Sequence, residues 1–223
     1  MPMPALLTTS CASCRQPGEV MCRQCRFALA TSPAAIVPGG ITAALSFDGA
    51  VRSAVLALKF RNRRAVAQVL AETLVRRLGL ARPGGAHVDL VTWAPTSRRR
   101  AVDRGYDQAE LIARAVARQL GVPCRRLLYR VHGAPQVGRT RAERLQGPAF
   151  RARSGVRLRV LVVDDVVTTG ATLVAAGDAL RAAGIAEVRL VAVAAAPRRD
   201  DAWVTGGGHA KDRAQPPGRL ETA

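Results

Sequence analysis

The sequence predicts an α/β fold, a central and mostly parallel sheet flanked by helices, with a small cysteine-rich segment at its N-terminus. Three observations lead there. Residues 160–163, Val-Leu-Val-Val, form a continuous apolar run of the kind found in strands buried on both faces. Stretches with apolar residues at helical spacing separate this run from other short strand signals, so helices and strands alternate along the chain. Four of the five cysteines fall within the first 25 residues.

The 223 residues give room for one medium α/β domain and a small appendage. Hydrophobic residues make up 48% and aromatic residues only 4%, so the core is built from Ala, Val and Leu. The formal charge of +18 points to phosphate-rich partners. Only Lys59 and Lys211 are lysines, however, and an Arg-, Ala- and Gly-rich composition also arises from a GC-rich coding background. A basic stripe on one face would favour nucleic acid, and a uniform scatter would not. No segment approaches the roughly 20 apolar residues of a membrane span. Residues 1–10 lack the basic and apolar regions of a signal peptide, which makes the cytoplasm the expected location.

Cys11 and Cys14 form one Cys-x2-Cys knuckle and Cys22 and Cys25 a second, seven residues apart. Four thiolates so spaced suit a tetrahedral Zn²⁺ in a closed, structural site, forming a zinc ribbon over residues 1–32. Disulfides are the alternative, and a reducing cytosol disfavours them. Cys124 stands apart as a small apolar filler.

Residues 31–40, with Pro33, Pro38, Gly39 and Gly40, have linker composition, and the main domain is expected over residues 41–196. A strand at 41–47 and a helix at 49–60 are followed by a basic patch at 61–64. A second helix at 65–80 ends before Pro83, Gly84 and Gly85. The strand at 88–93 runs into a loop containing Pro95, Thr96, Ser97, Arg98, Arg99 and Arg100, then Arg104-Gly105-Tyr106-Asp107-Gln108. Next come a helix at 109–120, a short strand at 125–129 and a strand at 188–193. Residues 132–148 are polar and irregular, hold Gln136, Arg141 and Arg144, and read as a lid over substrate, with His132 an exposed loop residue. Residues 197–223 lack apolar periodicity and are expected to be disordered. Five basic residues there (Arg198, Arg199, Lys211, Arg213, Arg219) nearly cancel four acidic ones (Asp200, Asp201, Asp212, Glu221), so the excess charge belongs to the body.

The stretch 160–172, VLVVDDVVTTGAT, is the most informative. Its apolar strand ends in Asp164 and Asp165, then turns through Thr168, Thr169, Gly170, Ala171 and Thr172 into a helix at 171–183 with Gly184 as C-cap. Exposed N–H and hydroxyl groups at a helix start bind an anion, while carboxylates accept from sugar hydroxyls. A sugar phosphate needs both parts. No GxxxxGK[ST] occurs in the chain, which argues against a phosphate-loop nucleotide triphosphatase. These thirteen positions resemble the phosphoribosyl-pyrophosphate (PRPP) motif of type I phosphoribosyltransferases, and imply that fold. In a parallel sheet, the loop with Ser97, Arg98 and Arg104 would lie on the same edge and supply a second anion site. PRPP, with its 5′-phosphate and 1′-pyrophosphate, fits that pair.

Further signals fall in one order: the paired knuckles, Leu58-Lys59-Phe60, Arg104 to Gln108, Gln136 with Arg141 and Arg144, and the 160–172 motif. Together they resemble the ComF/GntX family of phosphoribosyltransferase-fold proteins. Tyr106 and Asp107 stand where that family usually has Phe and Asn, and Leu145 where it tends to have Asn. Asp107 is therefore expected to add negative charge near the pyrophosphate site. The resemblance implies a PRPP site, and a link to natural competence, single-stranded DNA and other competence proteins.

Two readings follow. In the first the chain is a Mg²⁺-dependent phosphoribosyltransferase. Asp164 and Asp165 hold the ribose hydroxyls, residues 168–172 bind the 5′-phosphate, and Arg104 with the 95–100 loop favours the leaving pyrophosphate. In the second it is a PRPP- or nucleotide-regulated protein that binds single-stranded DNA through basic surface and the aromatics Phe60, Trp93 and Tyr106.

Overall fold

A computed structural model describes residues 9–82, 87–131, 148–153 and 158–196. The predicted lid residues 132–147, including His132, Gln136, Arg141, Arg144 and Leu145, lie outside them, as does the 197–223 tail.

Among the described residues the elements run α1 (Arg23–Thr31), β1 (Ala35–Val37), β2 (Ile41–Ser46), α2 (Gly49–Phe60), α3 (Val66–Arg77), β3 (Leu90–Trp93), α4 (Arg98–Arg104), α5 (Gln108–Leu120), β4 (Leu128–Arg130), β5 (Phe150–Ala152), β6 (Arg159–Val167), α6 (Ala171–Ala182) and β7 (Glu187–Ala195). The main sheet has the order β1-β2-β7-β6-β3, and all its pairs are parallel except β1 with β2. The α/β class with a mostly parallel sheet is thus observed. β4 and β5 form a separate two-stranded antiparallel sheet; of the strand expected at 125–129, Leu128 and Tyr129 lie in it, while Arg125 N donates to Val91 O of β3 at 3.0 Å beside a single parallel bridge between Val91 and Cys124.

Alternation along the strands divides the core in two. Leu161 and Val163 of β6 and Val191 and Val193 of β7 pack with Leu58, Leu70 and Ile112 of α2, α3 and α5. Val160, Val162 and Ala192 face the other way, against Leu173 and Leu180 of α6 and Leu128 of β4. All these side chains are essentially sealed from water. The α6 glycine Gly177 lies against Leu190, where a Cβ would come within 3.2 Å of its Cδ2, so helix and sheet approach closely.

Three departures from expectation have local causes. Ala35–Val37, inside the stretch read as linker, forms an edge strand on β2. The run 98–100 is helical rather than loop: Ser97 caps α4 by accepting from Arg100 N at 3.4 Å, and Gly105 ends it in the left-handed region. β6 continues through both aspartates to Val167, so the acids lie within the strand.

The N-terminal segment packs directly on the body. Met21 and Leu29 are fully buried, in one apolar cluster with α2 and α3. Arginines complete the joint: Arg61 donates to Ala12 O at 3.1 Å, Arg77 to Ala30 O at 2.8 Å and to Ser32 O, and Arg63 to Ser10. Part of the positive charge therefore fastens the protein to itself.

Candidate functional site

The parallel register brings the C-terminal ends of β3 and β6 together: Trp93 pairs with Val163, and Ala94 N donates to Val163 O at 3.1 Å. The acid pair, the residues after it, and the segment carrying Ser97, Arg98 and Arg104 consequently share one sheet edge, where α/β folds bind ligands.

The two aspartates have different surroundings. Asp165 is 3% exposed; its Oδ1 accepts from Lys59 Nζ at 2.9 Å and also from Val166 N. Its Oδ2 is buried without a partner among the described residues. Asp164 is half-buried, and its Oδ1 accepts from Asp165 N at 2.8 Å. Burial, then the neighbouring Asp165 charge, push the Asp164 carboxyl well above the usual carboxylate range, and Asp107 adds to this while Lys59 opposes it. Two acids in adjacent positions thus divide: one is held by a lysine, the other resists ionisation.

Beyond them Thr168 and Thr169 are exposed, and Gly170 is buried with φ 84°. A Cβ on Gly170 would stand 2.8 Å from Ile41 Cδ1 and 3.2 Å from Pro38 O, so the turn passes too close to the β1–β2 connection for any side chain. Thr169 Oγ1 accepts from Ala171 N at 3.4 Å, and Ala171 and Thr172 open α6. The turn leaves the first N–H groups of a twelve-residue helix at the same edge as the acids.

Of the residues expected on the second anion site, Arg98 is exposed and Ser97 is engaged as the α4 cap. Arg104 donates to Gln108 Oε1 at 2.7 Å and lies over the Phe60 ring, 5.0 Å from its centroid. Asp107 is not a free negative charge beside this segment: Oδ1 accepts from Ala109 N at 3.0 Å and Oδ2 from Thr96 N at 2.9 Å. It ties the end of β3 to the start of α5, and burial pushes its carboxyl upward. Trp93 is 4% exposed and belongs to the core, so it offers no stacking face.

Lys59 was not singled out as a site residue by its sequence. Its signals are its place in the Leu58-Lys59-Phe60 run and its rarity: among 34 basic residues only two are lysines, and this one sits in the last turn of a helix whose other face is core.

The four N-terminal cysteines are brought together, every pair of sulfurs lying within 4.8 Å. Cys14 and Cys22 are 3.7 Å apart; a tetrahedron with Zn–S of about 2.3 Å has edges of about 3.8 Å. No cysteine is in a disulfide. Burial works against the Cys11 thiolate, but N–H groups of Cys22, Cys14 and Ser13 outweigh it and bring the thiol down to about 6. Burial pushes Cys25 up to about 12. Such sulfurs fit Zn²⁺, which when bound would neutralise them and fix the segment. Cys124 lies half-buried elsewhere, its thiol pushed by burial to about 11, as an inert filler requires.

Residues 107–206, under half of the chain, match the family described as phosphoribosyl transferase domain. With the α/β sheet above, that match supports a phosphoribosyltransferase-like fold for the chain. Among solved structures it is similar to glutamine PRPP amidotransferase from B. subtilis complexed with ADP and GMP, at 26% identity over 59% of this chain and 26% of that one, TM-score 0.39. It is also similar to an allosteric regulatory enzyme of purine biosynthesis, at 25% identity over 59% of this chain and 26% of that one, TM-score 0.40. Adenine phosphoribosyltransferase from Leishmania tarentolae shares 15% identity over 74% of this chain and 94% of that one, TM-score 0.44. The chain spans about a quarter of the length of the first two. No curated protein matches. No helix among the described residues is long and apolar enough to cross a membrane.

Proposed function

We propose that the chain binds PRPP with Mg²⁺ at the C-terminal edge of its parallel sheet and transfers the phosphoribosyl group to an acceptor. The observation that carries this reading is the β6–α6 connection. A carboxylate pair lies in the last residues of β6, and a glycine at φ 84° turns the chain into a helix that starts without a side-chain cap from its N-cap residue. Asp164 accepts from the ribose hydroxyls, held in place beside the Lys59–Asp165 pair. The Thr168–Thr172 turn takes the 5′-phosphate, and the arginines of α4 face the pyrophosphate. A half-buried acid that resists ionisation gains from a nearby cation, so the site suits Mg²⁺ carried mainly on substrate oxygens. When bound, the ion offsets charge on the departing pyrophosphate. An acceptor lone pair attacks C1, the C1–O bond breaks, and pyrophosphate leaves with the electrons.

The finer reading places the chain in the ComF/GntX family, with a structural zinc ribbon and a role in competence or nucleotide metabolism. Its support is the ordered set of motifs together with the four clustered cysteines. Pyrophosphate release over a panel of bases and amines tests transfer. A second reading, non-catalytic and PRPP-regulated binding of single-stranded DNA, is favoured by arginines stacked on Phe60, Tyr106 and Tyr129. PRPP binding without pyrophosphate release from any acceptor, with salt-dependent binding of an oligonucleotide, would select it.

A further inference from the structure

A groove of about 360 Å³ runs between α1 and α3, where the cysteine segment joins the body. Phe27 and Ala30 of α1 and Val69 and Thr73 of α3 line it, together with Arg23, Arg26 and Arg76. Val69 and Thr73 are each 4% exposed, and the Thr73 hydroxyl already donates to Val69 O at 2.9 Å, so this wall is effectively apolar. Phe27, opposite in chemistry to its arginine neighbours, is 68% exposed. The two walls are fixed before anything binds. Leu29 of α1 and Leu70 and Leu74 of α3 are fully buried in one cluster, and Arg77 of α3 donates to Ala30 O at 2.8 Å.

The charges around the groove do not cancel. Its one acid, Glu72, is engaged: Oε2 lies 3.5 Å from Arg26 Nη1, and Oε1 accepts from Gln68 at 3.1 Å. Arg23 and Arg76 are exposed and make no hydrogen bond or ion pair among the described residues. Arg23 also opens α1, the end at which a helix dipole disfavours a cation, so the helix itself gives no reason for it.

Apolar surface beside unpaired cations complements a segment that carries apolar side chains flanked by carboxylates. A second copy of this chain is a poor match, because each copy carries +18. Residues 197–223, with five basic residues against four acidic, are not an acidic ligand either. A nucleic-acid strand is disfavoured because single strands are held on successive stacking rings. Phe27 is the one ring lining this groove, while Phe60, Tyr106 and Tyr129 line other cavities.

The geometry points to a docking site in the α1–α3 groove for an acidic amphipathic helix of another protein. Its apolar face meets Phe27, Ala30 and Val69, and its carboxylates meet Arg23 and Arg76. α1 has nine residues and is roughly 13 Å long, so about two to three turns of the partner make contact. This surface is independent of the PRPP reading, and neither stands on the other.

Fluorescence anisotropy on the full, zinc-loaded chain tests it with designed peptides of about 20 residues at about 0.15 M salt. The first peptide carries Leu along one helical face and Glu, Ala and Gln elsewhere. In the second every Glu is replaced by Gln, and the third has the first one's composition scrambled so that no apolar face forms. A thymidine oligonucleotide of similar length is the fourth probe. The first peptide should bind saturably, and the second and third at least about tenfold more weakly. Phe27→Ala and Arg23→Gln/Arg76→Gln, all at exposed side chains, should each weaken it about tenfold with PRPP affinity within about twofold and the melting transition unchanged. No binding of the first peptide, equal binding of the second or third, or unchanged affinity in the variants would overturn the proposal. Oligonucleotide binding lost in these variants without peptide binding would make the groove a nucleic-acid surface and overturn it too. So would self-association in sedimentation that Phe27→Ala abolishes, which would assign the groove to a second copy.

Discussion

Lys59 Nζ lies 2.9 Å from Asp165 Oδ1, with the two side chains 18% and 5% exposed. The pair joins the last turn of α2 to the end of β6 across the core, and it sets a cation against a carboxylate that is otherwise enclosed. Breaking such a pair strands a charge, whereas removing both members does not. Lys59→Met is expected to cost about 3–5 kcal/mol. Lys59→Met combined with Asp165→Asn should recover much of that loss. Urea denaturation of the three proteins measures this. Equal stability of the single and double variants would show that the pair is not coupled.

Asp164 contributes stability with a defined pH dependence. Its folded pKa is raised by burial and by Asp165, so the folded state holds a proton that the unfolded state has lost. Stability from this group is therefore full below the ordinary carboxylate range and falls as pH rises toward the raised value. Asp164→Asn removes the penalty, and its melting temperature should exceed wild type by a few degrees at neutral pH, converging with it in acid. Melting curves across pH check the sign. A variant less stable than wild type at neutral pH would contradict the assignment.

Gly170 allows two separable measurements. Adding a methyl group forces both a φ that L residues avoid and a clash with Ile41 and Pro38 O. Gly170→Ala is expected to cost roughly 1–3 kcal/mol. It should also weaken binding of ribose 5-phosphate, whose phosphate uses the turn, more than binding of inorganic pyrophosphate. Equal losses for both would remove the turn from the 5′-phosphate site.

Zinc removal should reach beyond the cysteines. Met21 and Leu29 share the main core, and each buried side chain contributes about 1.5–3 kcal/mol. Metal analysis is expected to give about one zinc per chain. Chelation should lower the melting temperature of the whole protein in one transition, and Cys11→Ser should do the same without chelator. An unchanged main transition after zinc loss would mean that the segment is energetically independent.

Much of this fold was legible because its strands are continuous Val and Leu runs with no other use. The 49–60 and 109–120 helices were legible because their apolar stripes face the core. α4 was not: none of its residues is buried, so it has no apolar period, and only Ser97 and Gly105 mark its ends. β1 was hidden by its three-residue length among prolines and glycines. At the site, the acids and the Thr-Gly turn are contiguous and so were readable, and their arrival on one edge with Arg104 followed from parallel topology. The Lys59–Asp165 contact spans more than 100 residues, and no local pattern encodes it. Asp107 looked like a charge at a ligand site because sequence cannot show that both its oxygens already accept backbone N–H groups.

The central claim is that the acid pair and the turn after it form a PRPP site. Calorimetry with PRPP and Mg²⁺ on wild type and on Asp164→Asn/Asp165→Asn tests it most directly. Saturable 1:1 binding by wild type, with at least a tenfold loss in a double variant whose fold is verified by its melting transition, is the predicted result. Equal affinity of the two proteins, or no binding by the zinc-loaded wild type, would contradict it.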